Sequence, residues 1–411
     1  MKTLIFFTAQ FPFGTSETFI ESEFPFLAQA FDQIFIVTND LSSPQTREIS
    51  SNATIVRHPY TASLKSKILA VANFFRLRKE LRFMRRQNIA INKSSLFALL
   101  TSYAKTLEVN LFLEKFVTEN KIQRSSLTLY SYWMNDMALG AAMFKFKNPQ
   151  VKALCRAHRW DVYFEFHEPR YLPLRNFALQ QLDACFCIAE DGQRYIKNIQ
   201  SNKTKNNVLL SRLGTFNAEK KRSGFNPDKI VLVSCSNIVR VKRVELIVEA
   251  LTEIENIDIE WVHFGTDHFK GRVQKLAEDL LGNKSNIRFE FKGQVTNTAL
   301  LNYYENNAID LFINVSESEG LPVSIMEANS FGIPAIATNV GGTAEIVRHQ
   351  VNGFLLPAKC SVAEIVETIK LFYQLSGEEK SNLRKNAFEI WKREFNAEKN
   401  YRAFVDDVLS L

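Results

Sequence analysis

Short apolar runs separated by longer segments of helical period recur along almost the whole chain. That alternation marks βα units, whose strands are covered on both faces and so read as continuous apolar stretches. The first series of strand candidates covers 3–8, 33–37, 53–57, 127–132, 151–157, 184–189 and 207–213. Helical stretches fall at 16–30, around 64–86 and at 95–119. Residues 217–228 carry Gly, Pro and many charges without periodicity, and read as a linker. The pattern then restarts, with strands at 230–234, 259–264, 287–291, 311–315, 335–338 and 353–356. A helical tail from about Gly377 carries Trp391, Phe395, Tyr401 and Phe404. With 411 residues, the chain exceeds what a single core holds. The expected architecture is α/β: two doubly wound domains whose strand ends face a cleft, where open parallel sheets bind ligands.

Several function classes lose ground at once. Neither half contains Gly-x-Gly-x-x-Gly or a P-loop, which argues against nicotinamide dehydrogenases and P-loop NTPases. The five cysteines are odd in number, and Cys155 and Cys235 sit inside strand-like runs. They read as reduced and buried, in a cytoplasmic protein. Cys185 and Cys187 share a strand face for packing. The histidines show no ligand spacing, so no metal is expected. The opening Met1–Gln10 segment is too short for a signal h-region, and no uninterrupted stretch approaches a membrane span. A soluble or peripheral protein is expected.

The net charge of +7 is local. Lys65, Lys67, Arg76, Arg78, Lys79, Arg82, Arg85 and Arg86 face a single acid, Glu80, so this window carries the charge of the whole chain. That argues against a diffuse nucleic-acid surface. Interleaved with Ile68, Leu69, Phe74, Phe75, Leu81 and Phe83, the window suits an anionic membrane surface. A solvated face on a packed helix explains it equally well.

The richest chemistry lies in Asn314-Val-Ser-Glu-Ser-Glu-Gly-Leu-Pro-Val-Ser-Ile-Met-Glu-Ala-Asn-Ser-Phe-Gly-Ile-Pro334. A strand ends in a Ser/Glu/Gly turn, and Pro322 sits where a first helical turn tolerates it. Glu319 falls in the turn, and Glu327 on the helix. Backbone amides from Gly320 onward suit a phosphate, and the carboxylates suit sugar or ribose hydroxyls. A second glycine turn, Val340-Gly-Gly-Thr-Ala-Glu345, opens another helix.

This stretch resembles the Glu-x7-Glu motif of retaining GT-B glycosyltransferases, the large family often numbered four. The pattern continues in Gly332-Ile-Pro334, Glu345-Ile-Val347 and Asn352-Gly-Phe-Leu-Leu356. It extends more weakly into Phe11-Pro-Phe-Gly-Thr-Ser-Glu-Thr-Phe-Ile20, Tyr130-Ser-Tyr-Trp133 and Arg156-Ala-His-Arg-Trp-Asp161. Together these look most like bacterial transferases of exopolysaccharide or lipopolysaccharide synthesis. The resemblance implies an acceptor-side domain over 1–213 with the tail 391–411 crossing back to it, and a donor domain over 214–390. It implies that Glu319 holds donor-sugar hydroxyls, that the amides of Gly320 and Leu321, with Val323 beside them, support the sugar or diphosphate, and that Glu327 binds ribose. Lys242 matches the lysine that neutralises the leaving diphosphate. An arginine often stands five residues earlier; here it is Asn237, with Arg240 and Arg243 nearby. His158 matches the histidine that contacts the transferring sugar. Gly14 is placed near donor phosphate or acceptor, and Glu17, Arg156 and Asp161 on the acceptor side.

The resemblance thus implies a nucleotide-sugar donor, UDP before GDP, a glycan or lipid-linked acceptor, and no metal or other cofactor. Two other classes stay open: a GT-B-like sugar-nucleotide epimerase, and a catalytically silent nucleotide-sugar-binding partner, which Asn237 keeps in view.

Overall fold

The computed structural model describes residues 1–14, 16–200, 205–217 and 229–411; most of the expected linker at 217–228 lies outside them. Two compact units are present. The first comprises Met1–Arg212 with Tyr401–Leu411, and the second Leu213–Asn400.

The first unit is built on seven strands: β1 (Thr3–Thr8), β2 (Gln33–Thr38), β3 (Ala53–Arg57), β4 (Leu127–Ser131), β5 (Lys152–Ala157), β6 (Ala184–Cys187) and β7 (Val208–Leu210). Their order is β3-β2-β1-β4-β5-β6-β7, all parallel, with Phe6 opposite Tyr130 in the central pair. Every residue of β1 and β4 is buried, as strands covered by helices on both faces require. The second unit has β8 (Ile230–Cys235), β9 (Ile259–Phe264), β10 (Ile287–Gly293), β11 (Leu311–Asn314), β12 (Ala335–Thr338) and β13 (Gly353–Leu356). These run parallel in the order β10-β9-β8-β11-β12-β13. In each sheet the strand order reverses at one place, between β1 and β4 and between β8 and β11. Open α/β sheets bind ligands outside the carboxyl ends of the strands at such a reversal.

The helix Lys93–Glu119 is long and apolar enough, by length and composition alone, to cross a membrane. It packs instead on Asp136–Lys147. A Cβ at Gly140 would lie 2.3 Å from Val109 Cγ1, so glycine there permits the close approach. The expected helical region 64–86 is three pieces: Leu64–Ala72, a 3-10 turn Phe74–Leu77, and Arg78–Arg86. Asn73 ends the first by donating its side-chain amide to Leu69 O. Buried Glu80 anchors the third, accepting Tyr171 OH at 2.6 Å and Leu174 N at 2.9 Å. All five cysteines are free.

The tail divides differently from the expected 391–411: residues 391–400 belong to the second unit. Trp391 Nε1 donates to Thr215 Oγ1 at 2.8 Å, and Arg348 pairs with Glu394 at 2.6 Å. Only from Tyr401 on does the chain join the first unit, where Phe404 and Val408 enter its core.

Candidate active site

In the second unit the loops that follow β8 and β11 meet. Glu317 N donates to Val241 O at 2.7 Å, which locks the two loops together. Lys242, at the end of a 3-10 turn after β8, places Nζ 2.6 Å from Glu319 Oε1. The same oxygen accepts Asn314 Nδ2 at 3.1 Å. Glu319 is one-tenth exposed in its side chain and Lys242 one-quarter, so both reach solvent. Beneath this loop runs the second glycine turn. Gly342 N donates to Gly320 O at 2.7 Å. Gly341 (φ +53°) approaches so closely that a Cβ would sit 2.0 Å from Glu319 O. The two glycine-bearing motifs, twenty residues apart in sequence, thus form one platform.

The helix Val323–Ser330 starts at Pro322 with no side-chain cap. Its first two amides, Val323 and Ser324, precede the first helical bonds, in which Ile325 N donates to Pro322 O at 3.2 Å, and present a partial positive charge beside Gly320 and Leu321. Glu327, on this helix, accepts Asn297 Nδ2 at 2.6 Å. Burial pushes its carboxyl up to about 7, partly offset by that bond. Cys235 feels the charges of both Glu327 and Lys242, and burial raises its thiol to about 12. Glu319, Lys242 and Glu327 therefore gather around the carboxyl end of β8.

Arg243, expected to bind donor, spends its guanidinium on the backbone. Nε donates to Val315 O at 2.7 Å, and Nη2 to Ser316 O at 3.2 Å and Ala358 O at 3.1 Å. It shapes the Glu319 loop rather than offering a free cation. Asn237 is exposed, and its Oδ1 accepts Thr266 N at 3.3 Å, tying the β8 and β9 loops.

In the first unit, the loops after β1, β4 and β5 are held by two carboxylates. Glu17 (φ 58°) accepts Ala9 N, Gln10 N and Phe11 N at 2.6–2.9 Å, and Trp133 Nε1 at 2.6 Å. Asp161 accepts His158 N and Met134 N, both at 2.6 Å. Burial raises its carboxyl to about 7 against the pull of Arg175. Both acids, expected on the acceptor side, are committed to backbone and indole donors. Arg156, also expected there, is fully buried: Nε meets Glu23 at 2.7 Å and Nη1 meets Ser211 O at 2.9 Å. A guanidinium so enclosed holds the unit together and contacts no acceptor.

His158 is different. It lies between the rings of Tyr132 and Trp133, with centroids 4.8 and 4.6 Å away, and neither ring nitrogen has a partner. Burial, then the charge of Arg156, lowers its pKa to about 3, so the imidazole is neutral. Gly14 (φ +62°) forms a turn whose carbonyl accepts Thr46 Oγ1 at 2.6 Å. Asn314 and Asn297 escaped sequence reading. Asn314 opens the quoted motif, whereas Asn297 lies thirty residues from its partner and left no signal.

The family model described as glycosyl transferases group 1 matches residues 215–390. The N-acetyl-alpha-D-glucosaminyl L-malate synthase of Bacillus anthracis is 25% identical over 273 residues, 63% of this chain and 69% of that protein. The putative teichuronic acid biosynthesis glycosyltransferase TuaC of Bacillus subtilis (strain 168) is 29% identical over 185 residues, 45% of this chain and 43% of its own length. Anabaena HepE, solved in complex with UDP, superposes over 100% of both chains with a TM-score of 0.66 at 15% identity, a likeness of fold. The match to the group 1 glycosyltransferase model thus falls on the second unit and its Glu319–Lys242 platform, and the two doubly wound parallel sheets share the GT-B fold of HepE.

Proposed function

We propose that the protein moves a sugar, with retention, from a nucleotide-sugar to a glycan or lipid-linked acceptor of cell-surface polysaccharide, and that the donor is a UDP-sugar before a GDP-sugar. The observation that carries this is the pairing of Lys242 with Glu319 at the strand-order reversal, beside Glu327. Relatives support the surface role, since TuaC is named for teichuronic acid biosynthesis. HepE, whose fold this chain shares, was solved with UDP.

In this reading the Glu319 carboxylate accepts hydroxyls of the donor sugar. The first-turn amides and Lys242 take the diphosphate. One of three ammonium protons is committed to Glu319, leaving two for phosphate oxygens. Glu327 accepts ribose hydroxyls. As the anomeric carbon–phosphate oxygen bond breaks, charge grows on the leaving diphosphate and Lys242 stabilises it. The acceptor oxygen bonds to the same face, and its proton passes to a departing phosphate oxygen. Neutral His158, with unpartnered nitrogens, contacts the transferring sugar. Protein cations supply the charge, so no resident metal is invoked.

The cationic window supports docking to an anionic membrane surface. All eight basic residues are exposed. Leu64 (74%), Ile68 (60%), Val71 (65%) and Phe75 (57%) are exposed among them, while the one acid, Glu80, is buried.

The decisive experiment incubates the protein with UDP- and GDP-sugars and follows release of free sugar. Slow hydrolysis that disappears in Glu319→Ala and Lys242→Ala is expected. Tight nucleotide-sugar binding without turnover, for every donor and acceptor supplied, overturns the reading.

A further inference from the structure

At the carboxyl ends of β4 and β5 the first unit carries a pocket of about 430 Å³. It lies between the helix Lys93–Glu119, the start of Asp136–Lys147 and the chain at 167–175. Phe97, Ala98, Leu139 and Tyr171 give it apolar walls, and Arg175 lines it. Arg175 is only 4% exposed, and its Nε and Nη1 have no hydrogen-bond partner. Among the described residues, no carboxylate forms an ion pair with it.

The acids that attract it, Asp161 and Asp136, bond other groups; Asp136 lines the same pocket with its partners Ser102 and Lys105, as does Glu168. Asp161 holds two backbone amides. Asp136 takes Ser102 Oγ at 2.5 Å and Lys105 Nζ at 3.3 Å. A guanidinium removed from water without a hydrogen-bonded counter-ion is costly. Its planar fork suits a phosphate or carboxylate held by two parallel bonds. Phe97, 73% exposed at the pocket wall, offers a ring face to the C–H face of a sugar. The cationic window is contiguous: Tyr171, in the pocket wall, donates to Glu80 on the helix Arg78–Arg86.

We propose that this pocket binds an oxyanion carried by the acceptor, a phosphate or a sugar carboxylate, with Arg175 as its donor. The inference deepens the transferase reading and rests on it. Neither Arg175 nor this pocket belongs to the donor platform, which lies in the second unit.

The test is thermal unfolding of the full chain with inorganic pyrophosphate, and separately with glucuronate. Four proteins are compared: wild type, Lys242→Ala, and Arg175→Met and Ala98→Trp each made in the Lys242→Ala background, which removes the donor-side response to pyrophosphate. Ligand that binds only the folded state raises its melting temperature. At least one anion is expected to raise Tm by roughly 3 °C or more in wild type and Lys242→Ala. Lys242→Ala lacks the donor-side lysine, so a shift it keeps arises elsewhere. Arg175→Met is expected to lose the shift. Ala98→Trp, which fills the pocket without touching the arginine, is expected to lose it too and carries the test if Arg175→Met does not fold.

A response to pyrophosphate alone assigns a phosphate-bearing acceptor, and a response to glucuronate alone an acidic sugar. No shift in wild type with either anion overturns the proposal. So does a shift that survives in Arg175→Met or Ala98→Trp, or one lost in Lys242→Ala. Nucleotide-sugar hydrolysis by the wild type reports on the transferase reading separately.

Discussion

A lysine set against a glutamate at 2.6 Å is ordinarily a surface ion pair of little energetic worth. At Lys242 and Glu319 the two groups converge on a strand-order reversal, which makes them worth more to chemistry than to folding. Lys242→Met should therefore leave the melting temperature within a few degrees of wild type. It should lower the turnover number by roughly 10²–10³-fold, the range seen when one donor to a developing anion is removed. A comparable fall in stability would instead make the pair structural. Glu327 supplies a pH test. Its carboxyl titrates near 7 rather than 4.5, so the folded protein holds a proton there that the unfolded chain releases. Stability from this group is fully present below about 4.5 and is lost as pH rises through 7. Nucleotide binding runs the other way, because ribose hydroxyls need the ionised carboxylate. Affinity should fall by about tenfold per pH unit below 7, and Glu327→Gln should flatten that slope. The sequence made Lys242 and Glu319 legible because each sits in a turn that follows a strand, and Glu327 because its helix opens from the turn that holds Glu319. It also singled out Arg156, Glu17 and Asp161, whose side chains are committed to partners inside the first unit. A charge near the carboxyl end of a strand looks identical in sequence whether it points at ligand or, like Arg156 within β5, turns inward to Glu23.

Among elements, the glycine turn at 340–342 and the cationic window behave in opposite ways. Gly341 combines a positive φ with a Cβ position 2.0 Å from Glu319 O, whereas Gly271 (φ +83°) has nothing within 4 Å. Alanine at either site carries backbone strain of about 1–3 kcal/mol. Only Gly341→Ala also displaces the Glu319 loop. It should lose transferase activity while Gly271→Ala keeps it, at similar thermal stability; equal activity in both would mean the platform tolerates movement. The window 64–86 tests a surface instead. Changing Lys65, Lys67, Lys79 and Arg82 to Gln removes four charges at roughly 1 kcal/mol each near an anionic bilayer. Co-sedimentation with phosphatidylglycerol vesicles at low salt should weaken by roughly two to three orders of magnitude, and unchanged binding would remove the membrane from the account. Helical period and charge announced this segment, yet its break at Asn73 was hidden. One asparagine within a run of helical period does not by itself mark an end; here its bond to the carbonyl four residues back closes the last turn.

At the scale of the molecule, the strands were legible because parallel strands buried on both faces admit few polar residues, as Leu4-Ile5-Phe6-Phe7 in β1 illustrates. Where the tail returns was less legible, since Trp391 and Phe395 are as apolar as Phe404 yet belong to the second unit. The first unit is completed only by Tyr401–Leu411. Phe404 lies under Arg156, with Cζ 4.0 Å from its ring centroid, and also packs on Tyr130 and Phe186. Tyr401, Phe404, Val405 and Val408 are all buried, and full burial of each contributes about 1.5–3 kcal/mol. Their sum, roughly 6–12 kcal/mol, is as large as the whole stability of a typical domain, about 5–15 kcal/mol. A chain ending at Asn400 should therefore fail to hold its first unit folded, while 213–400, uninterrupted in sequence, stays cooperative. Limited proteolysis at 25 °C should digest the amino-terminal half of the truncated chain and leave a resistant fragment of about the size of 213–400. Phe404→Ala in the full chain should lie between, at a cost of about 3–5 kcal/mol. If the truncated chain resists protease as the full chain does, the last eleven residues pack on the first unit without holding it together.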